Sequence, residues 1–192
     1  MRIIAGSLRG RTLKSPTGEG CRPAMGRTRE ALFSMLEARG VCWAATRVMD
    51  LFAGSGSLAF EAVSRGAPSA VLVEQAPHIQ RCLEENMRKL DVEDRVRLVR
   101  DDAVRYLRRG AVEAFDMIFL DPPYRKGFTE TCLAGVLARG WLAEGGLLAA
   151  EIEKDLDVKT PAGLELLAER LFGQTRVRIW RRPPAGEGQE EA

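Results

Sequence analysis

Histidine and cysteine are scarce in this sequence. One histidine, His78, and four cysteines at 21, 42, 82 and 132, none of them in a C-x-x-C pair, leave no basis for a zinc site or a disulfide framework. No apolar run approaches the roughly twenty residues that cross a bilayer. No charged n-region followed by an apolar h-region opens the chain. These absences predict a cytoplasmic protein with reduced thiols, no metal and no membrane contact. A dominant charge is missing too: 29% of residues are charged but the net charge is only +2, so overall electrostatics single out no partner. What remains is ample apolar material, 45% of 192 residues, in a chain long for one domain and short for two.

The stretch Val48-Met49-Asp50-Leu51-Phe52-Ala53-Gly54-Ser55-Gly56-Ser57-Leu58 organises the rest. An apolar segment runs into an acid, then a glycine-rich turn, then the helix-like Leu58 to Val63, which is how a parallel strand delivers its carboxyl end to a ligand. Glycine at 54 and 56 lets backbone approach a ligand where a Cβ would obstruct it. With Ala59 the spacing fits G-x-G-x-x-A, and Glu74 lies twenty positions after Gly54, so a dinucleotide site is one reading. Asp50 favours another, because a carboxylate at the strand end repels a pyrophosphate but suits the ammonium of S-adenosylmethionine (SAM). Asp50, Phe52, Gly54 and Gly56 are therefore candidate cofactor contacts.

Ala70 to Val73 predicts a second strand ending at Glu74, placed to accept from both ribose hydroxyls. Gly66 closes the preceding helix, and Pro77 opens one running to about Leu90. Val96 to Val99 predicts a third strand, followed by Asp101-Asp102-Ala103. Asp102, with the small Ala103 after it, is the candidate acceptor for an adenine amine and equally a candidate N-cap. Phe115 to Leu120 predicts a fourth strand ending in Asp121-Pro122-Pro123-Tyr124. Two prolines at a strand end can be merely a stiff turn. The order acid, proline, proline, aromatic does more: an Asp121 oxygen and the Pro122 carbonyl can accept from one NH2 group while Tyr124 offers a stacking face. A helix from Phe128 to Arg139, a fifth strand over 147–152, and an antiparallel pair over 164–171 and 175–180 complete the chain, with Arg176 and Arg178 alternating against Val177 and Ile179.

The basic residues are unevenly spread. From Met1 to Arg29 there are seven (Arg2, Arg9, Arg11, Lys14, Arg22, Arg27, Arg29) against one acid, Glu19. Strand-like pieces at 2–6 and 11–14 predict a small β-ribbon arm whose arginines either protect an exposed edge or face phosphates. Arg27 and Arg29 open a helix whose core face is Leu32, Met35 and Leu36, and are expected on its opposite surface, solvated or turned to a ligand. The expected division is 1–24 as the basic arm, 25–182 as the main domain and 183–192 as a disordered tail.

The combination of Met1-Arg2-Ile3-Ile4-Ala5-Gly6, Arg9-Gly10-Arg11, Arg22-Pro23, Arg29-Glu30-Ala31-Leu32-Phe33, the acidic glycine loop and Asp121-Pro122-Pro123-Tyr124 resembles the RsmD family of bacterial 16S rRNA guanine-N2 methyltransferases. The resemblance spans about residues 1 to 182. It implies a Rossmann-like class I methyltransferase fold: a mostly parallel seven-stranded sheet with an antiparallel C-terminal strand, plus the β-ribbon arm. It also implies SAM as cofactor and 16S rRNA, within an assembling small-subunit particle, as substrate. Asp121, Pro122, Pro123 and Tyr124 then become the catalytic element, and Arg9, Arg11, Arg22, Arg27 and Arg29 the substrate contacts. One departure is Gly26-Arg27-Thr28, where many members carry an acid before the Arg-Glu-Ala-Leu-Phe segment. Other amine acceptors (DNA adenine N6, a protein glutamine), a non-catalytic RNA-binding assembly factor and a dehydrogenase are the alternatives.

Overall fold

The computed structural model describes residues 1–16, 26–124 and 127–185. Arg22, most of the loop expected at 16–20, and the tail from 186 lie outside the described residues. The chain forms two compact units, Met1–Ala103 and Val104–Ala192.

In the first unit, α1 (Gly26–Glu37) precedes β1 (Arg47–Leu51), α2 (Ser57–Arg65), β2 (Ser69–Glu74), α3 (Pro77–Leu90) and β3 (Val96–Arg100). The strands lie in the order β3-β2-β1 and are all parallel. Val48, Met49, Leu51, Ala70, Leu72 and Val73 are buried, as expected of parallel strands covered on both faces, which read as unbroken apolar runs. Helix ends follow local chemistry. Gly66 ends α2 at φ 122 with its N–H on the Ala62 and Val63 carbonyls. Pro77 starts α3 where no intrahelical donor is needed. The buried Leu83, Met87 and Leu90 seat α3 on the strands.

The N-terminal ribbon is short. A single antiparallel bridge, Arg2 with Thr12, is flanked by Ile3 N–H to Arg11 O (3.0 Å) and Leu13 N–H to Met1 O (2.8 Å). The ribbon docks on the unit's helices, burying Ile3, Leu8 and Leu13. The fully buried Glu61 of α2 accepts from Ile4 N–H (2.8 Å) and Ala5 N–H (3.0 Å). Ser7 N–H reaches the Ser64 carbonyl (2.7 Å), and Leu8 N–H the Ser64 hydroxyl (3.0 Å). Gly6 has φ +82, and a Cβ there would lie 1.8 Å from the Ser64 carbonyl oxygen, so only glycine permits this approach.

The second unit holds most of α4 (Ala103–Arg108), then β4 (Phe115–Leu120), α5 (Phe128–Ala138), β5 (Leu142–Glu153), β6 (Glu165–Phe172) and β7 (Thr175–Arg181). Its strands run β4-β5-β7-β6, with β4 and β5 parallel and β7 antiparallel to both its neighbours. The two units supply the seven strands of a mixed, mostly parallel sheet with an antiparallel C-terminal pair, the fold class the sequence predicts.

Two details differ from expectation. β5 begins at Leu142 rather than 147, because Leu142 already pairs with Phe115 and the register then jumps so that Met117 meets Leu147. Gly145 (φ 73) and Gly146 form the resulting bulge, so glycines that look like a strand boundary lie inside the strand. On β7, Arg178 is buried with its apolar neighbours. β7 is an interior strand, and the guanidinium donates to the Val158 carbonyl and pairs with Glu169 on β6. Among the described residues no helix is long and apolar enough to cross a membrane, and no group of three or more His, Cys, Asp or Glu could hold a metal ion.

Candidate active site

The carboxyl ends of β1, β2 and β3 gather the cofactor candidates of the first unit. The Asp50 carboxylate is buried and accepts the Ala59 N–H at 3.3 Å, tying the strand end to the first turn of α2. Phe52 follows at φ 64, a left-handed backbone that bulky residues rarely adopt and that marks a constrained turn. Gly54 (φ 55) and Gly56 (φ 76) continue it. They serve different ends. A Cβ at Gly56 would strike the Phe60 ring at 2.3 Å, so that glycine is required by packing. A Cβ at Gly54 would meet nothing nearer than the Phe52 carbonyl at 3.8 Å, so that backbone borders open space.

Glu74 is brought to this loop directly. One carboxylate oxygen accepts the Gly54 N–H (3.3 Å) and the other the Ala76 N–H (2.9 Å). Register pairs Glu74 with Arg100, which places Asp101 and Asp102 just past the neighbouring strand end. Asp101 is buried and accepts the Asp102 N–H (2.8 Å), while Asp102 is half-buried and Ala103 is buried at the start of α4. A polar residue that the sequence reading did not single out holds the loop from behind. Fully buried Asn86 of α3 donates to the Ser55 carbonyl (3.2 Å) and to the Lys14 carbonyl (2.9 Å), and accepts the Lys14 N–H (2.8 Å). One amide thus joins the glycine loop to the ribbon. The available signal was an asparagine on the apolar face of a helix, where an unsatisfied amide would be costly.

In the second unit, Asp121 to Tyr124 extend from the end of β4. Pro122, Pro123 and Tyr124 line a cavity with Phe128, Glu151 and Glu153; its empty volume is about 340 Å³, part of it open to solvent. Asp121 is half-buried at its edge of the motif. The Tyr124 hydroxyl is 2.7 Å from the Thr175 hydroxyl on β7, which anchors the far end of the ring.

The arginines expected to touch substrate separate. Arg9 and Arg27 are exposed. Arg11 is exposed as well, but its guanidinium donates to the Leu90 carbonyl (3.2 Å) and to that of Lys89 at the carboxyl end of α3, where a cation is favoured for helix reasons alone. Lys14 pairs with Glu85 at 2.5 Å; the bond holds the Glu85 carboxyl below its ordinary range and raises the Lys14 ammonium. Arg29 is not on the surface. It is buried, donates to the Arg2 carbonyl and lies 3.9 Å from Glu61, because the ribbon crosses that face of α1. Its position makes it a clamp between ribbon and helices.

The fold and the acidic glycine loop define a class I SAM-dependent methyltransferase. The family model described as "Conserved hypothetical protein 95" matches residues 1–181, and the chain belongs to this family, the RsmD family. It is 35% identical over 188 residues to "Ribosomal RNA small subunit methyltransferase D" of Escherichia coli K12, covering 97% of this chain and 92% of that protein. The Haemophilus influenzae protein of the same name is 32% identical over 185 residues, covering 94% and 93%. The solved structure of the Escherichia coli protein yhhF superposes with a TM-score of 0.85 at 34% identity, covering 95% of this chain and 98% of that one.

The first unit's residues fit SAM. Its donor set at the strand ends is carboxylate rather than cation, which suits an ammonium and ribose hydroxyls and not a pyrophosphate. Gly54 leaves its side open where a ligand's backbone contact would fall.

Proposed function

We propose that this protein transfers a methyl group from SAM to the exocyclic N2 amine of a guanine in small-subunit ribosomal RNA. The observation that carries the reading is the Asp-Pro-Pro-Tyr element, whose Pro122, Pro123 and Tyr124 line a cavity beside Asp121 with the aromatic ring anchored, in a chain whose relatives are named for ribosomal RNA methylation. Asp50 would hold the cofactor's ammonium and Glu74 its ribose. Asp102, with Ala103 leaving room, would accept the adenine amine, and Phe52, Gly54 and Gly56 would shape the turn around it. Bound SAM supplies a methyl activated on a sulfonium, with a neutral thioether as leaving group, so no strong protein base is needed.

The chain's own task is the nucleophile. The guanine N2 lone pair is delocalised into the ring, and a planar amine attacks poorly. An Asp121 oxygen and the Pro122 carbonyl accept its two hydrogens, orienting it and favouring pyramidal nitrogen, while Pro123 stiffens the turn. Asp121 also takes up positive charge developing on the amine and can receive its proton. Tyr124 stacks on the base once it has left the RNA stack.

Residues 1–24 act in this reading as the substrate-contact segment, 25–182 carry transfer, and 183–192 form a tail. The substrate is the RNA within an assembling particle, which places the work in the cytoplasm. Arg9, Arg22 and Arg27 meet phosphates, whereas Arg11 and Arg29 chiefly hold the ribbon in place. Accordingly, Arg9→Gln is expected to weaken RNA binding and lower the slope of log K against log salt by about one, with the melting temperature unchanged. Arg11→Gln should instead lower the melting temperature. Binding isotherms at several salt concentrations, with thermal melts alongside, check both; equal effects of the two variants on the salt slope would restore Arg11 as a phosphate contact.

Tritiated SAM offered with undermodified small-subunit particles, free ribosomal RNA and duplex DNA tests the function. Label is expected in the RNA substrates, at guanine N2 by mass mapping. Label in DNA alone would transfer the assignment to an adenine enzyme.

A further inference from the structure

The cavity beside the Asp-Pro-Pro-Tyr element contains a carboxylate with no part in the chemistry described above. Glu151 lies on β5, half-buried, and lines the cavity with Pro122, Pro123 and Tyr124. The β4–β5 register ends at Leu120 with Ala150. The next residues are Asp121, just past the end of β4, and Glu151, still within β5, so the motif leaves the sheet from the position adjoining Glu151. Glu153 is two residues further on and pairs with Thr175, the residue that anchors the Tyr124 hydroxyl. It therefore flanks the stacking ring and not the Asp121 end of the motif.

Three nucleobases carry an exocyclic amine, and a holder for that amine does not distinguish them. The ring nitrogen beside the amine does. In adenine (N1) and in cytosine (N3) it carries a lone pair; in guanine N1 bears a hydrogen. A carboxylate accepts from an N–H and repels a lone pair. It must also stand immediately next to the group that holds the amine, since N1–H and N2–H leave the same edge of the ring.

We infer that Glu151 is the specificity residue of this site: its carboxylate accepts the guanine N1–H while Asp121 and the Pro122 carbonyl hold N2. The inference rests on the guanine-N2 reading above and says why that base is chosen over adenine or cytosine. No bond to Glu151 forms or breaks in transfer.

The test uses the full-length protein and small-subunit particles reconstituted with either guanine or 2-aminopurine at the methylated position, located beforehand by mass mapping. 2-Aminopurine keeps the 2-amino group but has a lone pair at N1. Wild-type protein is expected to prefer guanine. In Glu151→Gln the amide can donate to that lone pair, so the guanine to 2-aminopurine ratio of kcat/KM should fall roughly 10- to 100-fold, on the scale of a base-reading contact. Glu151→Asp keeps the carboxylate and should keep the preference at lower turnover, and Glu153→Gln should leave the ratio as in wild type. SAM affinity and melting temperature are followed in every variant, so a folding defect is seen separately from a change of ratio.

A ratio unchanged in Glu151→Gln, or shifted equally in Glu153→Gln, overturns the assignment. Wild-type protein that places no methyl on guanine N2 in any particle overturns the function instead, and the two failures are told apart by that control.

Discussion

Asp121→Ala is expected to lower kcat for methyl transfer by roughly 10²- to 10³-fold, the scale of losing one preorganised group that acts on charge developing in the transition state. SAM affinity should stay within a few-fold, because the residues proposed to hold the cofactor are Asp50, Phe52, Gly54, Gly56, Glu74, Asp102 and Ala103. The loss should fall on kcat more than on KM, since the carboxylate matters most once the amine becomes cationic. Asp121→Asn retains a carbonyl acceptor and loses only the negative charge, so it should lie between alanine and wild type. Single-turnover transfer of tritiated methyl, with calorimetric titration of SAM, gives both quantities. Unchanged turnover in the alanine variant would remove Asp121 from the mechanism.

The second large effect concerns folding. Glu61→Ala should destabilise the protein by about 3–5 kcal/mol, the usual consequence of removing one partner from a buried ionic network. Glu61 is fully buried; it accepts from Ile4 and Ala5 N–H groups and from Arg65 Nε (3.0 Å), with Arg29 close by. Its removal leaves two backbone donors and the Arg65 Nε short of an acceptor, and takes the carboxylate charge away from the nearby Arg29. The cost is a large fraction of the roughly 5–15 kcal/mol by which domains are stable, so urea denaturation should show a much lower midpoint. Opening should be local first: hydrogen exchange over residues 3–8 is expected to accelerate more than in β1 or β2, since the clasp belongs to the ribbon. Gly6→Ala, which drives a Cβ into the Ser64 carbonyl, should reproduce this loosening without touching a charge. A Glu61→Ala midpoint equal to that of wild type would show that the network contributes no net stability.

The second effect bears on how the ribbon is held to the glycine loop. Its basic residues lie far apart along the sequence from the glycine loop, yet Asn86 bonds to Lys14 and to Ser55 with the same side-chain amide. A change that frees the ribbon therefore also frees one hold on the loop. This ties the ribbon and the glycine loop of the first unit through a single buried group.

The elements of the fold were legible in the residues. Apolar runs ending in Asp50, Glu74 and Asp121 announce buried parallel strands delivering acids at their carboxyl ends. Gly66 and Pro77 mark helix ends by backbone properties that need no tertiary partner. The chemistry proposed for Asp-Pro-Pro-Tyr was likewise read from the order of its side chains. What local pattern could not decide was which face each charged residue would find. Arg29, on a helix with an evident apolar stripe, is buried because the ribbon covers it; Arg178 is buried because the segment at Val158 lies against its guanidinium and accepts from it. Gly145 and Gly146 sit within β5 because the register shift along β4 needs a bulge there. Glu61 and Asn86 became anchors because segments more than fifty residues away present bare backbone groups to them. Periodicity reports a residue's neighbours along its own element, whereas burial of a charge depends on which distant segment supplies its partners, and only the folded chain brings those segments together.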